Sequence, residues 1–225
     1  MSIPACDQGK AAKATWESAS PAGKRGFYMS YGKRALDLSV SAVGLLVLSP
    51  VFLAIAIGIK LTSRGKVFFR QTRIGRQGRP FGIFKFRSMY TGGADDCAIT
   101  VASDRRITPL GKFLRRCKLD ELPQLWNVVC GDMSLVGPRP EVPAYVAHYT
   151  SEQRVVLSVR PGITDPSSLA YRDEETILEA ASDPEHFYRT RILPDKLARS
   201  GDYLQRVTFS SDLRIILETL GSSLF

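Results

Sequence analysis

Two adjacent acids, Asp120 and Glu121, stand in the stretch KLDELPQLWNVVCGDMSLVGPRPE, which closes on a Gly-Pro-Arg-Pro turn around Arg139. A carboxylate that attacks phosphorus approaches another anion, so the site needs positive charge to offset the repulsion. Arg115, Arg116 and Lys118 lie within one helical turn before the acids, and Arg139 follows them between Pro138 and Pro140. Proline restrains φ on both sides of that arginine, which suits a guanidinium held ready for bidentate contact with phosphate. The plain alternative for an Asp-Glu pair is a helix cap or a solvated ion pair, because acids beside bases are common on helices.

The elements that must position these residues are partly readable. Leu110, Phe113, Leu114 and Cys117, then Leu122, Leu125, Trp126 and Val129, recur at helical spacing. Thr108-Pro109 reads as a cap and first helical position, and Pro123 suits the first turn of a second helix. The acids therefore fall at a junction just before a helix N-terminus, where negative charge is favoured and free N–H groups can meet a phosphate.

Upstream, Lys60 to Tyr90 contains Lys60, Arg64, Lys66, Arg70, Arg73, Arg76, Arg79, Lys85 and Arg87 and no acid. Short apolar runs separated by Gly75, Gly78 and Pro80 predict a β-hairpin or two extended segments. Such an element suits an anionic lipid surface. Phenylalanines among the bases can imitate a nucleic-acid platform, but no nucleic-acid signature accompanies them, and the apolar segment next to them favours lipid.

That segment runs uncharged from Leu38 to Ile59, about the length that crosses a bilayer as a helix. Bases flank both ends, which is the pattern of a cytoplasmic side twice over. Ser49-Pro50 sits at its middle, where proline removes a backbone donor and breaks the helix. The expectation is a re-entrant hairpin that dips into one leaflet, with Ser49 satisfying a freed carbonyl. A plain spanning helix and a buried core helix are the alternatives. Asp37, at the mouth, should pair with Arg34 on the same helical face.

The chain has 225 residues, with 31 Lys plus Arg against 22 Asp plus Glu, a formal charge of +9. That excess points to an anionic partner. Cys6, Cys97, Cys117 and Cys130 form no metal or disulfide framework and read as reduced thiols. With His148 and His186 as the only histidines, a metal should be a hard ion on oxygen, with magnesium the default. Residues 1–30 read as a flexible tail, 31–64 as the membrane helix, and 65–225 as a catalytic domain; Asp95 and Asp96 fall in a stretch that reads as a mobile loop. Glu174 to Leu197 reads as short helices, and Tyr203 to Leu220 as one amphipathic helix, both for packing or membrane contact.

The ordered string KRALDL, SP, FRQTRIGRQGRPFGIFKFRSM, TPLGKFLRRCKLDELPQLWNVVCGDMSLVGPRPE and RPGIT, from about Lys33 to Thr164, resembles the bacterial sugar transferases that act as monotopic polyprenol-phosphate phosphoglycosyl transferases. The resemblance implies a ping-pong reaction on the cytoplasmic face of the bacterial inner membrane. An aspartate takes a phosphosugar from a UDP-sugar, releasing UMP, and a polyprenol phosphate such as undecaprenyl phosphate then captures it, the first membrane step of a polysaccharide or glycoconjugate. It implies Asp120 as nucleophile, Glu121 as the second acid, and both as ligands of Mg2+. Arg115, Arg139, Lys85 and Arg87 match phosphate-holding positions, Arg160 more loosely, and Ser49 and Pro50 match the break of the re-entrant helix. Many relatives continue RPGIT into a Gly-Leu-Ala-Gln run, whereas here Asp165-Pro166-Ser167-Ser168 follows, so this resembles another branch.

The fold expected is α+β and mostly helical: a re-entrant helix-break-helix mounted on a compact cytoplasmic catalytic domain with a small β-element. Partners expected are a UDP-sugar, polyprenol phosphate and anionic inner-membrane lipids, and no nucleic acid. Homo-oligomerisation and downstream glycosyltransferases are left open, as is the identity of the sugar. Two rival readings remain at this point: a non-enzymatic basic module that binds the membrane surface, and the same transfer made directly in a ternary complex.

Overall fold

The computed structural model describes residues 28–90 and 100–224. Cys6, Cys97, Asp95, Asp96 and most of the expected N-terminal tail lie outside the described residues. The described chain is mostly helical, with two small sheets.

After a π-helical turn, α1 (Lys33–Val47) and α2 (Ser49–Thr62) meet at Leu48 with a bend of 59°. Pro50 stands in the first turn of α2, where its missing N–H costs nothing. Ser49 Oγ donates to the Leu46 carbonyl at 2.8 Å, satisfying a group that the break would orphan. The halves thus meet at an open bend and are not folded back side by side as a hairpin. Among the described residues no single helix is long and apolar enough to cross a membrane, though the bent pair passes that test together. Leu46, Val47, Leu53 and Leu61 stay more than 60% exposed, so the pair is not a buried core helix either.

β1 (Phe68–Ile74) and β2 (Pro80–Phe86) form an antiparallel hairpin, in register from Phe68 opposite Phe86 to Ile74 opposite Pro80. Phe86, 1% exposed, faces away from Lys85 and packs with Ile55 and Ile59 of α2 and with Leu114 of α3 (Pro109–Arg116). This one cluster ties the second half of the bent helix pair, the hairpin and the helix before the acids. Thr108 caps α3, its Oγ1 accepting from Gly111 N at 2.9 Å. A Cβ on Gly111 would stand 2.0 Å from the Ser88 carbonyl oxygen, so the approach of α3 to the strand requires glycine.

A 3-10 turn, Leu119–Glu121, joins α3 to α4 (Gln124–Cys130), and Pro123 precedes α4 as its cap residue. The second sheet escaped the sequence reading: β3 (Ser134–Val136) and β4 (Gly162–Thr164) pair in parallel. Strands of three residues carry no readable alternation. Between and after them come α5 (Pro143–Val146), α6 (Pro166–Ala170), α7 (Glu174–Glu179), α8 (Pro184–Phe187), α9 (Leu193–Gln205) and α10 (Phe209–Leu224). The expected single helix from Tyr203 to Leu220 is broken, because Thr208 starts a new one and accepts from Ser211 N at 3.1 Å. Pro184 and Pro194 stand in the first turns of α8 and α9.

Asp37 and Arg34 do not pair with each other. Arg34 donates to the carbonyls of Val128 and Val129 at 2.7 and 3.2 Å, closing the C-terminus of α4. Asp37 accepts from the Leu135 N–H at 3.0 Å, beside β3. Both residues dock α1 on the catalytic layer, which satisfies their polar groups better than a pair within one helix would.

Candidate active site

Asp120 and Glu121 sit on the 3-10 turn, entered through Lys118 in the left-handed region at φ 55°. That backbone conformation turns the chain sharply off α3 and presents both acids on the wall of an open cavity of about 1880 Å³. Lys85, Arg87, Arg115, Lys118 and Arg139 line the same cavity.

Each cation is placed by a different element. Lys85 comes from β2, whose backbone is clamped to α4 by Asn127: Phe84 N donates to Asn127 Oδ1 at 3.0 Å, and Asn127 Nδ2 donates to the Gly82 carbonyl at 2.8 Å. Lys85 Nζ then donates to Glu121 Oε1 at 2.8 Å. Arg139 leaves the parallel ladder where Gly137 N bonds the Thr164 carbonyl and Gly162 N bonds the Pro138 carbonyl, both at 3.0 Å. A Cβ on Gly162 would lie 2.1 Å from Gly137 N, so the two chains cross backbone on backbone. From there Arg139 forks onto Glu121, Nη1 reaching Oε2 at 3.2 Å and Nη2 reaching Oε1.

The two acids therefore differ. Burial alone would raise Glu121, but the charges and hydrogen bonds of Arg139 and Lys85 outweigh it and hold this carboxyl well below the usual range. Asp120 is raised, by burial first, with Lys85 opposing and the neighbouring Glu121 charge adding to the rise. Its Oδ1 is buried with no hydrogen-bond partner among the described residues. Lys85 is lowered by burial, against the pull of Glu121. A buried carboxylate oxygen left empty beside a neutralised neighbour is an acceptor for something absent from the chain.

The other expected residues divide. Arg115 lines the cavity and pairs with Glu175, which lines it too, its Nε donating at 3.1 Å. Arg87 is buried; Nη2 donates to the Ser63 carbonyl and hydroxyl at 2.8 Å each, while Nε and Nη1 have no partner. Arg160 is not brought to the cavity wall: its Nε donates to the Gly131 carbonyl at 2.8 Å, which fixes the loop after α4.

Several wall residues lay outside the sequence reading. Arg172 lines the cavity with no hydrogen bond or ion pair among the described residues, and Glu141, Glu174, Tyr171, Tyr188 and Lys196 join it. The segments read as packing helices thus close the site. No local pattern marks them, since their charges resemble those of any solvated helix.

The sequence pattern of the family described as "Bacterial sugar transferase" matches residues 28–225. A UDP-glucose:undecaprenyl-phosphate glucose-1-phosphate transferase of Xanthomonas campestris pv. campestris is 38% identical over 85% of this chain and 38% of its own length. The exopolysaccharide production protein PSS of Rhizobium leguminosarum bv. phaseoli is 38% identical over 85% of this chain and 94% of its own. A UDP-N-acetylgalactosamine-undecaprenyl-phosphate N-acetylgalactosaminephosphotransferase of Aeromonas hydrophila is 42% identical over 59% of this chain and 32% of its own. The chain thus spans about a third of the length of the Xanthomonas and Aeromonas proteins and nearly all of the Rhizobium one. With almost its whole described length matched, this chain belongs to the bacterial sugar transferase family.

Proposed function

We propose that this chain transfers a sugar phosphate from a UDP-sugar to undecaprenyl phosphate, giving UMP and a polyprenol diphosphate sugar, at an initiating step of polysaccharide synthesis. The observation that carries the reading is the buried, unpartnered Oδ1 of Asp120 beside a Glu121 neutralised by Arg139 and Lys85. Family membership and the names of the relatives supply the substrate classes.

In the first half-reaction an Asp120 carboxylate oxygen attacks the β-phosphorus, and the bond to the α-phosphate oxygen breaks, so UMP departs with that electron pair. In the second, a phosphate oxygen of the polyprenol phosphate attacks the same phosphorus and releases Asp120. Glu121 keeps Lys85 and Arg139 fixed where negative charge collects, which lowers the reorganisation needed in the transition state. Arg87 and Arg115 stand on the same wall to hold the departing or arriving phosphate.

Magnesium fits this donor set: Asp120 Oδ1 is an empty buried oxygen and Glu121 adjoins it. Among the described residues no three acidic, histidine or cysteine side chains gather as a metal cage, so substrate phosphates and water would complete the shell. When bound, it supplies positive charge to the diphosphate.

The bent pair α1–α2 enters the cytoplasmic leaflet of the bacterial inner membrane from one side, its exposed apolar side chains in the acyl region. Lys60, Arg64, Lys66 and Arg70 then meet anionic headgroups. The lipid acceptor so reaches the dyad from the bilayer.

The test is UMP release by protein held in nanodiscs, with magnesium and a panel of UDP-sugars, with and without undecaprenyl phosphate. A stoichiometric burst without acceptor, turning into multiple turnovers when acceptor is added, is the expected result. UMP only when both substrates are present would replace the covalent route by direct transfer. No UMP under any condition would overturn the activity.

A further inference from the structure

Beyond Arg139 the cavity wall carries a second polar group that the phosphate chemistry does not use. Lys196, on α9, has a side chain only 9% exposed and pairs with Glu174 of α7. Its Nζ lies 5.2 Å from the ring centre of Tyr188 and 5.8 Å from that of Tyr171. The rings are themselves fixed: Tyr188 OH donates to Glu141 Oε1 at 2.6 Å, and Tyr171 OH donates to Asp195 Oδ2 at 2.8 Å. Glu141 also accepts from Arg73 Nη1 at 3.5 Å. This wall adjoins the dyad electrostatically, since Arg139 is raised first by Glu121 and further by the charges of Glu174 and Glu141.

We infer that this wall recognises the sugar ring of the donor, with the Lys196–Glu174 pair reading two neighbouring hydroxyl groups. The inference rests on the transferase reading above and names its specificity element. An ammonium donates and a carboxylate accepts, so the two side by side offer complementary partners to a vicinal diol. Held between two rings, the ammonium is preset and loses little freedom on binding. The tyrosine faces suit the C–H face of a pyranose. The sugar is bonded to the phosphate that stays with Asp120, so it must lie in the cavity that Asp120 lines, and Tyr171, Glu174, Tyr188 and Lys196 line it with Arg139.

An ion pair whose ammonium is buried and whose carboxylate is partly exposed is a costly way to join two helices, and apolar residues of similar volume would do so at least as well. Its retention on a cavity wall therefore needs a further reason, which hydroxyl recognition supplies. The wall also comes from the stretch after Thr164, where the sequence leaves the pattern it otherwise resembles. Relatives named for glucose and for N-acetylgalactosamine show that the donor varies among similar chains.

Ribose also carries a vicinal diol, so the experiment separates the two rings. Lys196→Met keeps the apolar stem and removes the donor; Glu174→Gln keeps the shape and removes the charge. For each and for the unmodified protein, kcat/KM for UMP release is measured in nanodiscs with UDP-sugars that differ at a single hydroxyl. Inhibition by UMP, which has the ribose and no donor sugar, is measured alongside, and melting curves establish folding.

The expected result is that preference between epimers collapses by about tenfold or more, the factor carried by one charge-assisted hydrogen bond, while UMP inhibits as before. Equal losses for every donor would make the pair a purely structural clamp and overturn the inference. Weakened UMP inhibition with preference retained would assign the wall to ribose and overturn it too. If Lys196→Met does not fold, Glu174→Gln decides alone. Absence of UMP release by the unmodified protein would remove the transferase reading and this one with it, whereas unchanged preference in active variants removes only this one.

Discussion

Asp120 and Asp212 are both buried carboxylates, and the chain treats them in opposite ways. Asp212, 1% exposed, accepts from Tyr28 OH at 2.6 Å and Lys33 Nζ at 2.5 Å on Oδ2, and from Tyr203 OH at 2.6 Å on Oδ1. Asp120 is nearly as buried, yet its Oδ1 has no partner among the described residues. A carboxylate whose lone pairs are engaged is inert and ties elements together. One left empty in a low-dielectric wall keeps its lone pair for an incoming atom. The number of buried acids is thus less informative than which of them are left unsatisfied.

Replacing Asp120 by Asn gives the sharpest contrast, because it removes the proposed nucleophile while breaking no hydrogen bond at Oδ1 among the described residues. UMP release should fall by about a thousandfold or more, with the melting temperature unchanged; turnover near that of the unmodified protein would end the comparison. Asp212→Ala should do the reverse. Loss of three donors' acceptor should cost about 3 kcal/mol of stability, read as a lowered melting temperature, while activity per folded molecule survives.

Arg139→Lys keeps the charge and loses the fork on Glu121. A drop of about ten- to a hundredfold in kcat/KM for UMP release is expected, and a smaller change would mean that charge alone suffices there. The smallest effect belongs to Ser49→Ala, which removes one hydrogen bond at the helix break. Its cost should stay below about 1 kcal/mol in a melting experiment, and a larger loss would mean that the break depends on the hydroxyl more than on Pro50.

The half of the comparison around Asp120 was readable in the sequence, and the other half was not. Thr108-Pro109, Pro123, the glycines of the hairpin and the Ser-Pro break act within a few residues, so their signals are local and survive reading along the chain. Asp212, by contrast, meets Lys33 across 179 positions, and no periodicity announces such a meeting. Arg34 and Asp37 looked like a pair because they share a helical face, but each found a backbone partner in the α4–β3 region instead. Arg160 entered the expected site through the resemblance of the RPGIT run that it opens, while in the fold its Nε donates to the Gly131 carbonyl. Thr208 carried a capping signal that a closer reading of Thr-Phe-Ser-Ser would have caught. The parallel ladder and the wall from Tyr171 to Lys196 are tertiary products with no local signature.

The Lys33–Asp212 link also sets an order in time. During synthesis the broken helix, the hairpin and the two acids all leave the ribosome before residue 212 exists, so Lys33 and Tyr28 wait for an acceptor that arrives with the last helix. A nascent chain can thus hold both acids and the hairpin while α1 is still unlatched, and arrival of α10 is the event that locks α1 to the body and completes the cavity wall.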